Sequence, residues 1–557
     1  MFKRGGCDLP GEALCFCIVS LLILIEAPQL VVGDQNDMSG WHLSQKVEAN
    51  KEISLHSASV PGRPFGRLQE ILQSIKLDVE QIIVAASSTD VVFERLAYVA
   101  DTFGPRFSGT SGLELAIDHI KAEMQRDGLS VTEEPVMVPR WVRGAEQARL
   151  VSPRNKTLAM VGLGDSIGTG GKPIVAPVLV VSSFADLALR RNEAAGRIVV
   201  FNTPFVSYGE TVDYRSGGAA AAAAAGGVAA LVRSVTSFSL QTPHAGTTDK
   251  ASVPAAAITV EDAELLARMQ RRGQEPVVEL YMEAQTLPDV QSRNLIVEIR
   301  GSERPDEVVM FGGHIDSWDI TDGAIDDGGG AMITWELSPP AASLSTNSLL
   351  SLLRVKASST CGDVIRLLHS LGLQPRRTVR GVLFVNEENG ARGGQQYARD
   401  HASEMNRTSI AIETDAGTFT PYGLEFTGTS EARAILEEIG RAFLSEMGLR
   451  HVTDSGGGTD VYYTCALGVP CASLSVLDPR ESDGPNNPCR DVRPQGVGRP
   501  TFGTSAYFWY HHSAADTPDK MSPQQLQQCA ASLATWVYAI ASLDEILPRG
   551  EATVRPQ

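Results

Sequence analysis

Cysteine is scarce: the chain has eight in 557 residues, and Cys7, Cys15 and Cys17 fall in the extreme N-terminal stretch. The rest, Cys361, Cys465, Cys471, Cys489 and Cys529, are odd in number and sparse, which excludes a disulfide scaffold, and no CxxC pair offers a thiolate metal site. Basic residues are also in deficit, with 48 Lys and Arg against 66 Asp and Glu for a net charge of -18. That balance excludes a general binder of nucleic acid or of anionic membranes, because phosphate recognition needs a cationic surplus. Beyond the N-terminus no apolar run approaches the ~20 residues of a membrane span. With 43% apolar and 20% charged residues the composition is globular, and 557 residues exceed what one core usually organises, so two folded units are expected.

Residues 1–33 place Lys3 and Arg4 before an apolar stretch from Ala13 to Ile25, followed by small residues near Gly33. This pattern predicts a secretory signal rather than a buried helix or an uncleaved anchor, since the run is too short to span a bilayer. The expected localisation is secreted, with lysosome, endoplasmic reticulum and Golgi as compartments on the route. Asn155-Lys-Thr157 and Asn406-Arg-Thr408 are glycosylation acceptors compatible with it. Residues 34–63 are polar and aperiodic, a linker or propeptide.

From residue 64 the texture becomes helical: "RLQEILQSIKLDVEQIIVAA" and "GLELAIDHIKAEMQRDGL" repeat apolar residues every three or four positions. Residues 145–285 carry short β-rich runs such as "APVLVVSS" and "GRIVVFN" between Gly and Pro turns, and read as an inserted domain. Within them "GGAAAAAAAGGVAALV" predicts a helix packed close to a sheet. From 286 to 550 apolar runs alternate with helical patterns, which predicts an α/β domain whose mixed, mainly parallel sheet is flanked by helices. Two stretches interrupt it, 338–362 and 478–500, both expected as exposed loops.

The chemistry-bearing residues follow the apolar runs, where open α/β sheets bind ligands. His314 follows "VVMFGG", Asp326 lies in the glycine-rich "GAIDDGGG", Glu387 and Glu388 lie in "FVNEENGARGG", Asp415 in "IETDAG", and His511 and His512 in "YFWYHHSAADT". Singly, each has an ordinary explanation as a cap, a turn or a surface group. Together they crowd carboxylates that repel unless a cation or a shared proton intervenes. The aromatic run Tyr507 to Tyr510 is read either as a pocket wall or as a buried strand.

The series "GGHIDSWD", "GAIDDGGG", "NEENGARGG", "ETDAGT", "GGGTD" and "HHSAADT", with "GPRFSGT", "GLGDSIGT" and "HAGT" elsewhere, resembles that of the co-catalytic two-zinc aminopeptidases, over about residues 68–548. The resemblance implies a zinc-peptidase fold with a β-rich protease-associated insert at 145–285. It implies two zinc ions bridged by Asp326, one completed by His314 and Asp415, the other by Glu388 and His512, with Glu387 as general base. Asp316 and Asp516 would orient the imidazoles, Asp319 and Asp322 would cap turns, and His511 would only pack. It further implies small peptide substrates, dipeptides foremost, and a homodimer. The rival readings are an aminopeptidase acting on longer chains and a receptor-like relative without catalysis, which would lack a ligand or the base.

Overall fold

The structure is a computed structural model that describes residues 64–88, 90–335, 368, 371–477 and 507–550. The expected signal, the 34–63 segment, and the interruptions at 338–362 and 478–500 lie outside the described residues, as do Cys361 and Cys489.

Eight strands form the first sheet: β1 (Val131–Val142), β2 (Gln285–Ile299), β3 (Arg304–His314), β4 (Arg377–Phe384), β5 (Thr408–Glu413), β6 (Thr420–Thr427), β7 (His451–Asp454) and β8 (Cys471–Leu477). Their order is β1-β2-β4-β3-β5-β8-β6-β7. The central strands β4, β3, β5 and β8 are parallel, and antiparallel pairs β1/β2, β2/β4 and β6/β8 make the sheet mixed, as the alternating sequence predicts. Strands β4 and β5 are buried along their whole length, so their apolar residues do not alternate with exposed ones, and the buried Arg377 and Arg380 of β4 are paired with Glu307 and with Glu298 and Glu404.

Helices cover this sheet. The periodic N-terminal stretch forms Pro64–Ser74 and Lys76–Ala86, interrupted at Ile75, followed by Val91–Phe103 and Ser111–Arg126. Thr110 caps the last of these by accepting from the Leu113 N–H. The helix Pro523–Ala541 starts at the Ser522 cap with Pro at its first turn and buries almost every side chain from Leu526 onward. Its residues share one core with Val309 and Phe311 of β3 and Ile410 and Ile412 of β5.

A second eight-stranded sheet is built entirely from residues 146–282 and has its own core, including Val199, Leu231 and Leu280. It is not purely β: helices Asp213–Ala224 and Val260–Arg271 lie among its strands. The alanine-rich run divides, contrary to the expectation of one helix. The helix stops at Ala224, ahead of the Gly226-Gly227 pair, and Ala229–Arg233 forms a parallel strand. The sequence also concealed a local covalent bond, for Cys465 and Cys471 form a disulfide, while Cys529 is free and buried. No helix among the described residues is long and apolar enough to cross a membrane.

The parallel register fixes where the functional side chains emerge. His314 pairs with Phe384, three residues before Glu387, and Gly312 pairs with Glu413, two before Asp415. Three separate chain segments therefore deliver carboxylates and an imidazole to the same edge. The helix Gly329–Trp335 packs so tightly behind that edge that a Cβ on Gly330 would overlap the Thr414 carbonyl oxygen and the Asp327 carboxylate. Gly330→Ala is accordingly expected to cost at least ~1–3 kcal/mol, read as a lowered Tm in thermal unfolding; an unchanged Tm would show that this backbone approach is looser than described.

Candidate metal centre

Asp326 sits at the middle of the cluster. One of its oxygens, Oδ1, lies 3.3 Å from His314 Nε2, which is itself 3.4 Å from Asp415 Oδ1. The other, Oδ2, lies 3.3 Å from His512 Nε2, which is 2.9 Å from Glu388 Oε2. Two triads thus share one carboxylate, an arrangement suited to a pair of cations with Asp326 between them.

The unsatisfied atoms test whether such ions fit. His314 Nε2, Asp326 Oδ2, Asp415 Oδ1 and both oxygens of Glu388 are buried without a hydrogen-bond partner. Orphaned groups of this kind cost free energy unless something else coordinates them, and all five converge on one space. The donor set, two imidazoles and three carboxylates, is that of a zinc-type site.

Electrostatics agrees. Burial pushes Glu388 well above the ordinary carboxylate range, and Asp326 and Glu387 push it further. Burial likewise raises Asp415, and it lifts Glu387 to about 8 with help from Asp415, Asp326 and Asp316. Burial opposes charge on His314, yet Asp415, Asp316 and Asp326 outweigh it and hold that imidazole well above its usual value. Bound cations would reverse the tendency of these carboxyls to take up protons.

The surrounding residues correct several expectations. Asp316 meets His314 Nδ1 twice, with its backbone carbonyl at 3.0 Å and its carboxylate at 3.7 Å, and the same carboxylate also accepts the N–H groups of Glu387 at 3.1 Å and Glu388 at 3.4 Å. Asp516 makes no described hydrogen bond to His512. Its carboxylate accepts the backbone N–H groups of Ala324, Ile325 and Asp326 at 3.1, 2.6 and 3.2 Å, so it shapes the loop that presents Asp326. Asp319 is no turn cap but a partner of Arg143, whose Nε donates to it at 2.7 Å. Asp322 contributes its backbone carbonyl, which accepts from the buried Arg106 guanidinium together with Ile315 and Gly323.

His511 does more than pack. Its Nε2 is 3.4 Å from Asp326 Oδ2, and its ring stacks on His512 with centroids 3.5 Å apart. Both histidines can reach the Asp326 carboxylate, while of the two His512 also meets Glu388. The aromatic run before them is one helical turn, not a strand: Phe508 stacks on Tyr208 and Trp509 on Phe238.

Sequence reading missed other participants. Asp327 accepts the His314 N–H at 3.1 Å, and it forms a second group with His314 and Asp415 whose ligand atoms could hold an ion. Glu413, lifted to about 7 by burial, accepts the N–H groups of Asp460 and Val461. A glutamate at the end of an otherwise apolar buried strand was the available signal. The loop His244–Thr247 of the second sheet also reaches the site: the Ala245 N–H donates to the His512 carbonyl at 2.7 Å, His244 Nδ1 meets the His511 carbonyl at 2.6 Å, and the Thr247 hydroxyl donates to the Glu388 carbonyl at 3.1 Å. Both candidate glycosylation sites, Asn155 and Asn406, are exposed.

Set beside known proteins, residues 294–537 match the model of Peptidase family M28. Carboxypeptidase Q of Homo sapiens is 40% identical over 495 residues, 87% of this chain and 93% of that protein, and the Xenopus laevis protein of the same name is 41% identical over 87% and 94%. Among solved structures, a peptidase M28 precursor from Shewanella amazonensis superposes with a TM-score of 0.71 at 28% identity, covering 88% of this chain and 100% of that one. A zinc aminopeptidase from Bacillus subtilis, at 19% identity and a TM-score of 0.55, shares the fold. Fold and site define a metallopeptidase. The chain belongs to peptidase family M28, with the carboxypeptidase Q proteins among its relatives.

Asp516 provides the sharpest test of how the loop supports the centre. Asp516→Asn weakens the anchoring of three N–H groups without emptying the space, and is expected to lower metal affinity ~10–100-fold in competition with a chelator. Unchanged affinity would separate Asp516 from metal binding.

Proposed function

We propose that this metallopeptidase is a secreted exopeptidase that releases amino acids from small peptides, dipeptides foremost, with two zinc ions. The observation that carries the proposal is the pair of ligand triads sharing Asp326, with Glu387 beside them. His314, Asp415 and Asp326 would hold one ion, and Glu388, His512 and Asp326 the other. When bound, such a pair supplies Lewis acidity and a water acidified toward neutral pH.

The remaining work belongs to the chain. Glu387 is half-buried, and its backbone is fixed by Asp316. Its carboxylate makes no hydrogen bond among the described residues, which leaves an oxygen available to take a proton from the attacking water and return it to the departing amine nitrogen. Asp316 thereby positions base and ligand together, since Glu387 and Glu388 hang from the same carboxylate. Residues 145–285, in the role of a protease-associated insert, steady the backbone around both histidines and so tie the cleft wall to the site. The likeness to carboxypeptidase Q supports an exopeptidase. The N-terminal sequence and the exposed Asn155 and Asn406 support export and glycosylation, and homodimer formation accords with the family resemblance.

Glu387→Ala is expected to keep its zinc and its fold while kcat on neutral dipeptides drops by ~10²–10⁴. Chelation should abolish turnover in the unaltered enzyme, and zinc should restore it. Full activity in the variant would remove Glu387 from the proton path, and a zinc-loaded wild type inert toward every peptide would favour a receptor-like role.

A further inference from the structure

Resting on that reading, we propose that His244 is a positioning residue for the ion held by Glu388 and His512, and that it couples the seating of the second sheet against the site to occupancy of that one ion position. His244 is 2% exposed, and its backbone N–H donates at 3.0 Å to Ser234 Oγ, which donates in turn to the Ile258 carbonyl at 2.9 Å. Ser234 follows the strand Ala229–Arg233, and Ile258 ends the neighbouring strand Ala255–Ile258, so the residue is anchored to the frame of the second sheet. From there its Nδ1 reaches the His511 carbonyl, 2.6 Å away. A carbonyl only accepts, so Nδ1 carries the hydrogen, and burial keeps the ring neutral by lowering its pKa to about 4. That tautomer leaves Nε2 buried with no partner. An apolar side chain would fill the space without such an orphan, so packing alone does not account for a histidine here.

The grip is directed at His512. The Ala245 N–H donates to the His512 carbonyl at 2.7 Å, so the carbonyls before and after the His512 Cα are both held by the loop, and with them the left-handed backbone at φ +58°. His512 Nδ1 faces the Ala245 carbonyl at 3.4 Å, while Nε2 faces Asp326 and Glu388. A second partner of this kind fixes the tautomer and the direction of a ligating imidazole, and here the loop supplies it in place of Asp516.

The same loop supports the other ligand of that ion, for the Thr247 hydroxyl donates to the Glu388 carbonyl at 3.1 Å. Among the described residues the loop makes no hydrogen bond to His314 or Asp415, so its influence falls on one ion position and not on both. Linkage makes the effect reciprocal: whatever the seated loop adds to zinc affinity there, zinc adds to the seating of the loop.

The test uses the full chain, loaded with zinc and titrated with a chelator while bound metal is counted. His244→Leu fills the space without a donor, and should weaken one of the two ions ~10–100-fold while the other keeps its wild-type affinity. His244→Asn, whose side-chain N–H stands in for Nδ1–H, should recover most of that loss. In the unaltered protein the Ala245 amide hydrogen should exchange more slowly with zinc bound than after chelation, a readout that needs no variant. Wild-type affinity for both ions in His244→Leu overturns the proposal. An equal loss of both ions, or an Asn variant no better than Leu, overturns it as well and marks His244 as scaffolding. So does an Ala245 exchange rate indifferent to zinc. A wild type that binds fewer than two zinc ions instead overturns the two-ion reading, and this proposal with it.

Discussion

Mutual repulsion among buried carboxylates is the constraint around which the molecule is organised. Asp326, Asp327, Glu388, Glu413 and Asp460 are all nearly inaccessible, and Asp415 and Glu387 stand beside them. No ion pair with Lys or Arg neutralises the ligand carboxylates among the described residues. Hydrogen bonds account for some of the group: Asp327, Glu413 and Asp460 spend theirs on backbone N–H groups. Left without a partner in the cluster are His314 Nε2, Asp326 Oδ2, Asp415 Oδ1 and both Glu388 oxygens, all from the two triads, and Asp460 Oδ2. Divalent cations are the one partner able to satisfy several such atoms at once without adding bulk.

That constraint explains the architecture on either side. The parallel strands β3, β4 and β5 end together, so His314, Glu387, Glu388 and Asp415 arrive from residues far apart in sequence. Loops then need restraint, because unsupported ligands would splay. Asp516 gathers three N–H groups of the Asp326 loop, Arg106 clamps the carbonyls behind it, and Asp316 holds Glu387 and Glu388. The second sheet completes the ring through His244, Ala245 and Thr247. His512, at φ +58°, adopts a left-handed backbone that this double anchoring maintains.

The legible parts of the sequence were those with local causes. Apolar runs identified β3, β4 and β5 as buried parallel strands, and polar residues directly after them located the site. Glycine-rich flanks marked the Asp326 loop. The roles that escaped notice depend on contacts between distant segments. Asp516 meets residues about 190 positions away, and His244 meets the His511 carbonyl across 267. No periodicity reports such pairings. The alanine run was misjudged because helix propensity says nothing about where a sheet will claim the next strand, and of the two readings of Tyr507–Tyr510 the buried strand fails because aromatic content alone does not separate a strand from a helical turn.

Anomalous diffraction from crystals at the zinc absorption edge addresses the central claim most directly. The account requires two peaks, one on each side of the Asp326 carboxylate, the first against His314 and Asp415 and the second against Glu388 and His512. A single peak, or none beside Asp326 in an active preparation, would contradict it.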